Sequence, residues 1–284
     1  MPAASSTPPL RGFLPKQPPR TYAPADVCIY CGSTMDLSDE HIIPLGLGGR
    51  LILPKASCAT CRKATSTFER TCLRTMYGPL RLLYDLPTRR KGDRPETLPL
   101  KMKRTRDHDW EYTPVVQERF PFLITFPQFD LPGALTGAAE SAAAGPVTKR
   151  LWIRGASPSH SFEQLLQDLT LDLRVYSLMP ESKADVPAFC GLLAKIGHAF
   201  AVAETGGRSF SSPVARYATG SDLSRCLHYI GSRPQDEPPS ASLHEVSFVD
   251  SLPDGALVAR IRLLARLGTP TYFVIIGKPE RSGS

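Results

Sequence analysis

Two cysteine pairs constrain this chain more than any other feature: Cys28-Ile29-Tyr30-Cys31 and Cys58-Ala59-Thr60-Cys61. Two residues between thiols let one turn aim both sulfurs at a single point, and Zn2+ prefers four such ligands in a closed tetrahedral site. In a chain expected in the reducing cytosol, paired C-x2-C elements argue for metal over disulfides. The expectation is a structural zinc held by Cys28, Cys31, Cys58 and Cys61, with disulfide or redox pairing as the bland alternative. The 26 residues between the pairs exceed the usual zinc-ribbon spacing, so something substantial is inserted there. Cys72, Cys190 and Cys226 have no partner spacing, and Cys190 lies in an apolar helical run, so packing is their expected role.

The insert opens polar and reaches Asp39-Glu40-His41-Ile42-Ile43-Pro44, then turns through Gly46, Gly48 and Gly49. A short β-like stretch, Arg50-Leu51-Ile52-Leu53, follows, and a helix is expected from the second cysteine pair through Arg70. The order is strand, glycine turn, strand, helix, with metal at the base. An acid directly before a histidine at a strand end can divide two tasks. Glu40 could hold a divalent cation, while His41, facing the other way, takes a proton from water. Taken alone, Glu-His fits a surface histidine beside an acid better. Its place between the cysteine pairs is what gives it weight.

The combination C-x2-C, Glu-His-Ile-Ile-Pro, Gly-Gly, Ala-Ser-Cys-x2-Cys and Thr-Ser-x-Phe-Glu resembles the four-cysteine branch of the HNH endonuclease family. The resemblance runs from Val27 to Arg70, about a sixth of the chain. It implies a ββα-metal, treble-clef unit with a structural zinc, its helix near the DNA minor groove. It further implies hydrolysis of DNA phosphodiester bonds, with Mg2+ or Mn2+ at Glu40 and His41 as general base. Arg50, Lys55, Arg62 and Lys63 would contact phosphates, and Gly48 and Gly49 would let the backbone approach the DNA strand.

One position departs from that family. It puts Asn or His directly after the last cysteine, as second ligand of the catalytic metal, and here that residue is Arg62. A guanidinium cannot coordinate a cation. Either Glu69 on the same helix or Asp39 supplies the ligand, or metal-dependent cleavage is weakened or lost. Arg62 could also replace the cation's charge at the phosphate. The rival reading is a catalytically silent zinc module that binds nucleic acid or a protein partner. A purely structural zinc knob leaves Glu40-His41 without a reason.

Charge supports the first two readings. Residues 1–120 hold 19 Lys and Arg against 12 Asp and Glu, whereas residues 121–284 hold 15 of each. The whole excess of +7 therefore sits where phosphate-binding surface would be useful. The expected organisation is a disordered proline-rich tail over 1–24, an HNH domain over 25–90 and a separate α+β domain of unknown type over 91–284. Seven prolines in the first 24 residues carry the first expectation. The opening residues lack the apolar core of a secretory signal, and no unbroken apolar run nears the ~20 residues of a membrane helix. A cytoplasmic bacterial protein is expected, with DNA as partner, no membrane, and a homodimer if both strands are cut.

Within the second part, Val186–Glu204 is the clearest helix, with Phe189, Leu193, Ile196 and Phe200 at 3–4 residue spacing and Gly206-Gly207 as its stop. Strands are expected at 120–129, 150–154, 171–178, 243–249, 257–267 and 272–277, and helices at 161–169 and 221–230. Thr88–Pro95 reads as a charged linker. Lys101–Arg106 is a second basic cluster, on a solvated strand edge or along a nucleic-acid backbone. His198 is expected to be packed in the core, and His108, His160, His228 and His244 lack ligand spacing.

Overall fold

The strands and helices follow the hydrophobic pattern closely enough that the departures are informative. The computed structural model describes residues 19–88, 92, 94–158, 161–206, 210–220, 222–233, 235, 237–249 and 255–279. Residues 1–18 of the expected tail, 89–91 and 93 of the expected linker, His160, Gly207 and Ser221 lie outside the described residues.

The protein is mixed α+β. In chain order the first elements are β1 (Arg20–Thr21), β2 (Ser38–His41), β3 (Leu51–Ser57), α1 (Ala59–Thr71), α2 (Gly78–Leu83), β4 (Thr97–Lys103) and β5 (Glu111–Val116). Then come β6 (Phe122–Gln128), β7 (Arg150–Ala156), α3 (Phe162–Asp172), β8 (Ser177–Met179) and α4 (Val186–Thr205). The last are β9 (Phe210–Ser211), α5 (Ala215–Ala218), β10 (Ile230–Ser232), β11 (Glu245–Val249), β12 (Leu257–Arg262) and β13 (Tyr272–Pro279). Two compact units arise, each from separated pieces of chain. One draws on Pro15–Cys72, Phe126–Trp152 and Asp185–Ser284, the other on Leu73–Thr125 and Ile153–Ala184.

The first unit carries the cysteine pairs. β2 and β3 run antiparallel with Glu40 opposite Leu53 and His41 opposite Ile52, and β1 joins β3 in parallel on its other side. Between β2 and β3, Pro44 opens a single 3-10 turn over Leu45–Leu47, and Gly48 closes it with φ +85. Gly49 is required by the turn itself. A Cβ there would lie 2.0 Å from the Ile43 carbonyl oxygen, so its missing side chain lets the turn close on Ile43.

α4 is the unit's core helix. The Asp185 side chain caps it by accepting from the Ala188 N–H at 2.9 Å, and Gly206 ends it at φ +67. By length and composition it could cross a bilayer, yet most of it is buried within this unit. It packs against α1 and against β12 and β13 of an antiparallel sheet ordered β10-β13-β12-β11. Fully burying Phe189, Leu193 and Ile196 contributes about 1.5–3 kcal/mol each. Gly191 faces the Phe68 ring, which a Cβ would meet at 2.9 Å, so α1 seats close on α4 at that point. This seating decides which charged side chains meet.

Several expectations are corrected here. Residues 257–267 are not one strand: β12 ends at Arg262, Leu264 turns left-handed at φ +56, and a 3-10 turn follows. β12 is an inner strand of its sheet, and Val258, Ala259, Ile261 and Arg262 are buried. Its arginines are accommodated by partners: Arg260 meets Glu245 at 2.8 Å and Glu237 at 3.0 Å, and Arg262 donates to the Thr269 carbonyl. The expected 221–230 helix shrinks to one 3-10 turn, Cys226–His228, because Ile230 is drawn into pairing with Val274.

In the second unit, β4 lies between β5 and β8, so Lys101 and Lys103 stand on a middle strand rather than at an edge. Leu100 and Met102 point inward, and Lys101 bonds Glu181 at 3.0 Å. The expected 171–178 strand is overturned as well. Ser161 caps α3 through the Gln164 N–H, the helix runs to Asp172, and Arg174 turns at φ +51 before β8 begins at Ser177. Leu171 is 75% exposed, so it is no core residue of a strand.

Candidate metal and Glu-His centre

The four cysteines of the two pairs converge. Ser33–Met35 and Cys28–Gly32 form tight turns, with the Gly32 N–H bonding the Cys28 carbonyl at 2.8 Å. Cys58 is the N-cap of α1, and Cys61 lies in that helix's first turn. All four Sγ atoms lie within 4.8 Å of one another, and those of Cys31 and Cys58 are 3.7 Å apart. A tetrahedron with Zn–S bonds of ~2.3 Å has edges of about 3.8 Å, whereas a disulfide needs about 2.05 Å. All seven cysteines are free thiols. The donor set and spacing fit a metal ion such as zinc. The Cys61 backbone N–H draws the Cys58 thiol down to about 7, while burial pushes the Cys61 thiol up. Tyr30 and Leu37 pack against the cluster as an apolar collar. Cys72, Cys190 and Cys226 are buried packing residues, as expected.

The Glu-His step stands at the end of β2. Strand alternation buries Glu40 to 6% exposure and leaves the His41 side chain half-buried, without a hydrogen-bond partner among the described residues. Asp39 faces outward and accepts from the Lys55 N–H at 3.3 Å, so it does not join Glu40. Glu69 on α1 does join it, through a residue the sequence did not single out.

That residue is Lys195 of α4, only 1% exposed. Its Nζ lies 2.6 Å from Glu40 Oε1 and 2.9 Å from Glu69 Oε1. It also donates to the His41 carbonyl and, at 3.3 Å, to the Ile42 carbonyl. Burial opposes the charge on Lys195, but the two carboxylates outweigh it and hold the ammonium above the ordinary lysine range. Nearby, the Tyr30 hydroxyl is buried without a hydrogen-bond partner among the described residues. Burial, then Glu40 and Glu69, raise its pKa. The signal for Lys195 was a lone cation inside the apolar run Leu192-Leu193-Ala194-Lys195-Ile196. A charge in a core helix is almost never buried unpaired.

Two histidines brace this centre. The His198 Nε2–H donates to the Ile29 carbonyl at 2.6 Å, between two cysteine ligands, and Nδ1 pairs with Ser212 Oγ at 3.0 Å. Burial lowers its pKa to about 4. His244 Nε2 donates to the Leu47 carbonyl at 2.8 Å while Nδ1 accepts the Leu264 N–H at 3.1 Å, so the glycine turn is pinned to the sheet. A cavity of about 420 Å3 opens beside that turn, walled by Tyr22, Phe200 and Phe248, away from Glu40.

The expected phosphate contacts divide. Arg62 and Lys63 are exposed on α1, Arg50 is half-buried, and none of the three makes a salt bridge among the described residues. Lys55 is already paired with Asp26 at 3.0 Å. Compared with protein-family models, curated proteins and solved structures, the chain matches none.

Proposed function

We propose that this chain binds DNA through an HNH-type, treble-clef zinc module within residues 25–90, and that the module as folded does not cut with a divalent cation. The observation that carries this reading is the convergence of Cys28, Cys31, Cys58 and Cys61 beneath a strand ending in Glu40-His41. The zinc fixes the start of α1, and α1 then presents Arg62 and Lys63 outward as phosphate contacts, with Arg50 near the turn. Arg62 also stands where the resembled family supplies a metal ligand. A second reading keeps hydrolysis: the half-buried His41 imidazole, without a hydrogen-bond partner among the described residues, takes a proton from an attacking water.

Gel retardation of a short duplex, together with plasmid cleavage by the zinc-loaded protein with Mg2+, with Mn2+ or with no added cation, tests both readings. The expected result is salt-sensitive retardation without cation-dependent nicking. Cleavage by the zinc-loaded protein that requires added Mg2+ or Mn2+ would overturn the proposal. Cleavage without any added cation that is lost in His41→Ala would establish the second reading. Absence of retardation at low salt would sink both.

A further inference from the structure

Glu40, Glu69 and the carbonyls of His41 and Ile42 turn four oxygens toward one point. Two carboxylates and two backbone carbonyls form the donor set that hard divalent cations take. A buried Glu40 carboxylate beside the half-buried Glu69 carboxylate would be repelled by it, and a cation between the two relieves that repulsion while both stay ionised. In this protein the cation belongs to the chain: the Lys195 ammonium, delivered by α4 from 154 residues beyond His41.

We infer that Lys195 is a tethered replacement for a divalent cation, and that it closes to Mg2+ and Mn2+ a site that Glu40 and Glu69 would otherwise form. The residues therefore do not fit the catalytic cation that the Glu-His motif leads one to expect. Geometry supports the replacement. The Nζ–oxygen distances of 2.6 and 2.9 Å leave no room for an ion beside the ammonium. The lysine stem is packed in a helix whose neighbours Ala194 and Ile196 are fully buried, so it cannot swing into solvent without disturbing the core. Seating of Phe68 on Gly191 sets α1 and α4 close enough for Glu69 and Lys195 to meet. The inference concerns cation occupancy alone and stands whether or not the chain binds DNA.

The test uses the full-length, zinc-loaded protein with Mn2+ as probe, read by electron paramagnetic resonance and by thermal unfolding. Wild type is expected to take up no Mn2+ that depends on Glu40, and its Tm should not move with added Mn2+. Lys195→Ala should gain one Mn2+ site and a Tm rise of roughly 5 °C or more at saturation. Adding Glu40→Gln to that variant should remove both effects. If Lys195→Ala does not fold by itself, it should be recovered by refolding in Mn2+ and not in buffer. Wild-type Mn2+ uptake that is lost in Glu40→Gln would overturn the inference, with no substitution needed at position 195. A folded Lys195→Ala that ignores Mn2+, or one that Mn2+ fails to recover, would overturn it too.

Discussion

The cysteine cluster and the Glu40–Lys195–Glu69 cluster lie in one compact unit and solve the same problem, holding like charges together around a cation, in opposite ways. The thiols come from the turn at Cys28–Cys31 and from the start of α1, and their spacing fits a cation taken up from solution. The carboxylates come from β2 and α1, and their cation arrives on α4 as part of the chain. A recruited ion makes folding depend on metal concentration. A tethered one makes it depend only on helix packing. On the proposed reading, the same unit is metal-dependent for its fold and metal-indifferent at its Glu-His step.

The largest expected effect breaks the recruited side. Cys61→Ser, or zinc removal by a chelator, should unfold the β2–β3–α1 segment, since structural zinc supplies on the order of 10 kcal/mol in small modules. Bound zinc measured by mass spectrometry, alongside far-ultraviolet circular dichroism, reads this out; retention of full structure without zinc would erase the contrast between the clusters.

The tethered side should break less severely. Lys195→Met strands the buried Glu40 carboxylate and the half-buried Glu69 carboxylate, and is expected to cost about 3–5 kcal/mol in denaturant unfolding. Neutralising all three groups, as Glu40→Gln/Glu69→Gln/Lys195→Met, should restore most of that loss. Equal destabilisation of the single and triple variants would mean that packing, not charge, holds the cluster.

His198 links the two, because it bonds Ile29 beside the cysteine ligands from the same helix that carries Lys195. Its pKa in the folded chain, about 4, lies below the ordinary 6.5. On acidification the unfolded chain therefore binds the proton first. Stability should fall as pH drops below about 6.5 and finish falling near 4, by up to about 3 kcal/mol. Between those pH values, His198→Gln should show a shallower pH dependence than wild type, and an unchanged slope would remove His198 from the account.

The smallest effect concerns the outward face. Arg62→Ala and Lys63→Ala should each weaken DNA binding only several-fold, and each should lower the salt-dependence slope by about one phosphate contact. Neither should change zinc content or Tm appreciably, since both side chains are exposed and unpaired among the described residues. A loss of binding confined to one DNA sequence would show a base contact instead.

What could be read from the chain alone shares one property: it depends on neighbours a few residues apart. The C-x2-C spacing predicted convergent thiols because one turn suffices to aim them. The order β2, glycine turn, β3, α1 was legible from the turn residues and the second cysteine pair. The apolar spacing of Phe189, Leu193, Ile196 and Phe200 marked α4 because a buried helix face repeats every 3–4 residues. Strand alternation also set Glu40 and His41 on opposite sides of β2; that Glu40 takes the buried side is shown by the structure.

What the chain could not show depends on which element arrives beside another. Leu171–Leu178 looks extended by composition, but the Ser161 cap carries the helix through to Asp172. Arg260 and Arg262 look solvent-facing until Glu237 and Glu245 are seen against them. Above all, the cation at Glu40 was decided by tertiary structure. Sequence suggested that Glu40 at the end of β2 could hold a cation, with His41 facing the other way. Only the packing of α4 on α1 determined that the partner is Lys195, because attraction between buried charges depends on their separation in space, and a lysine 155 positions after Glu40 carries no local mark of its proximity.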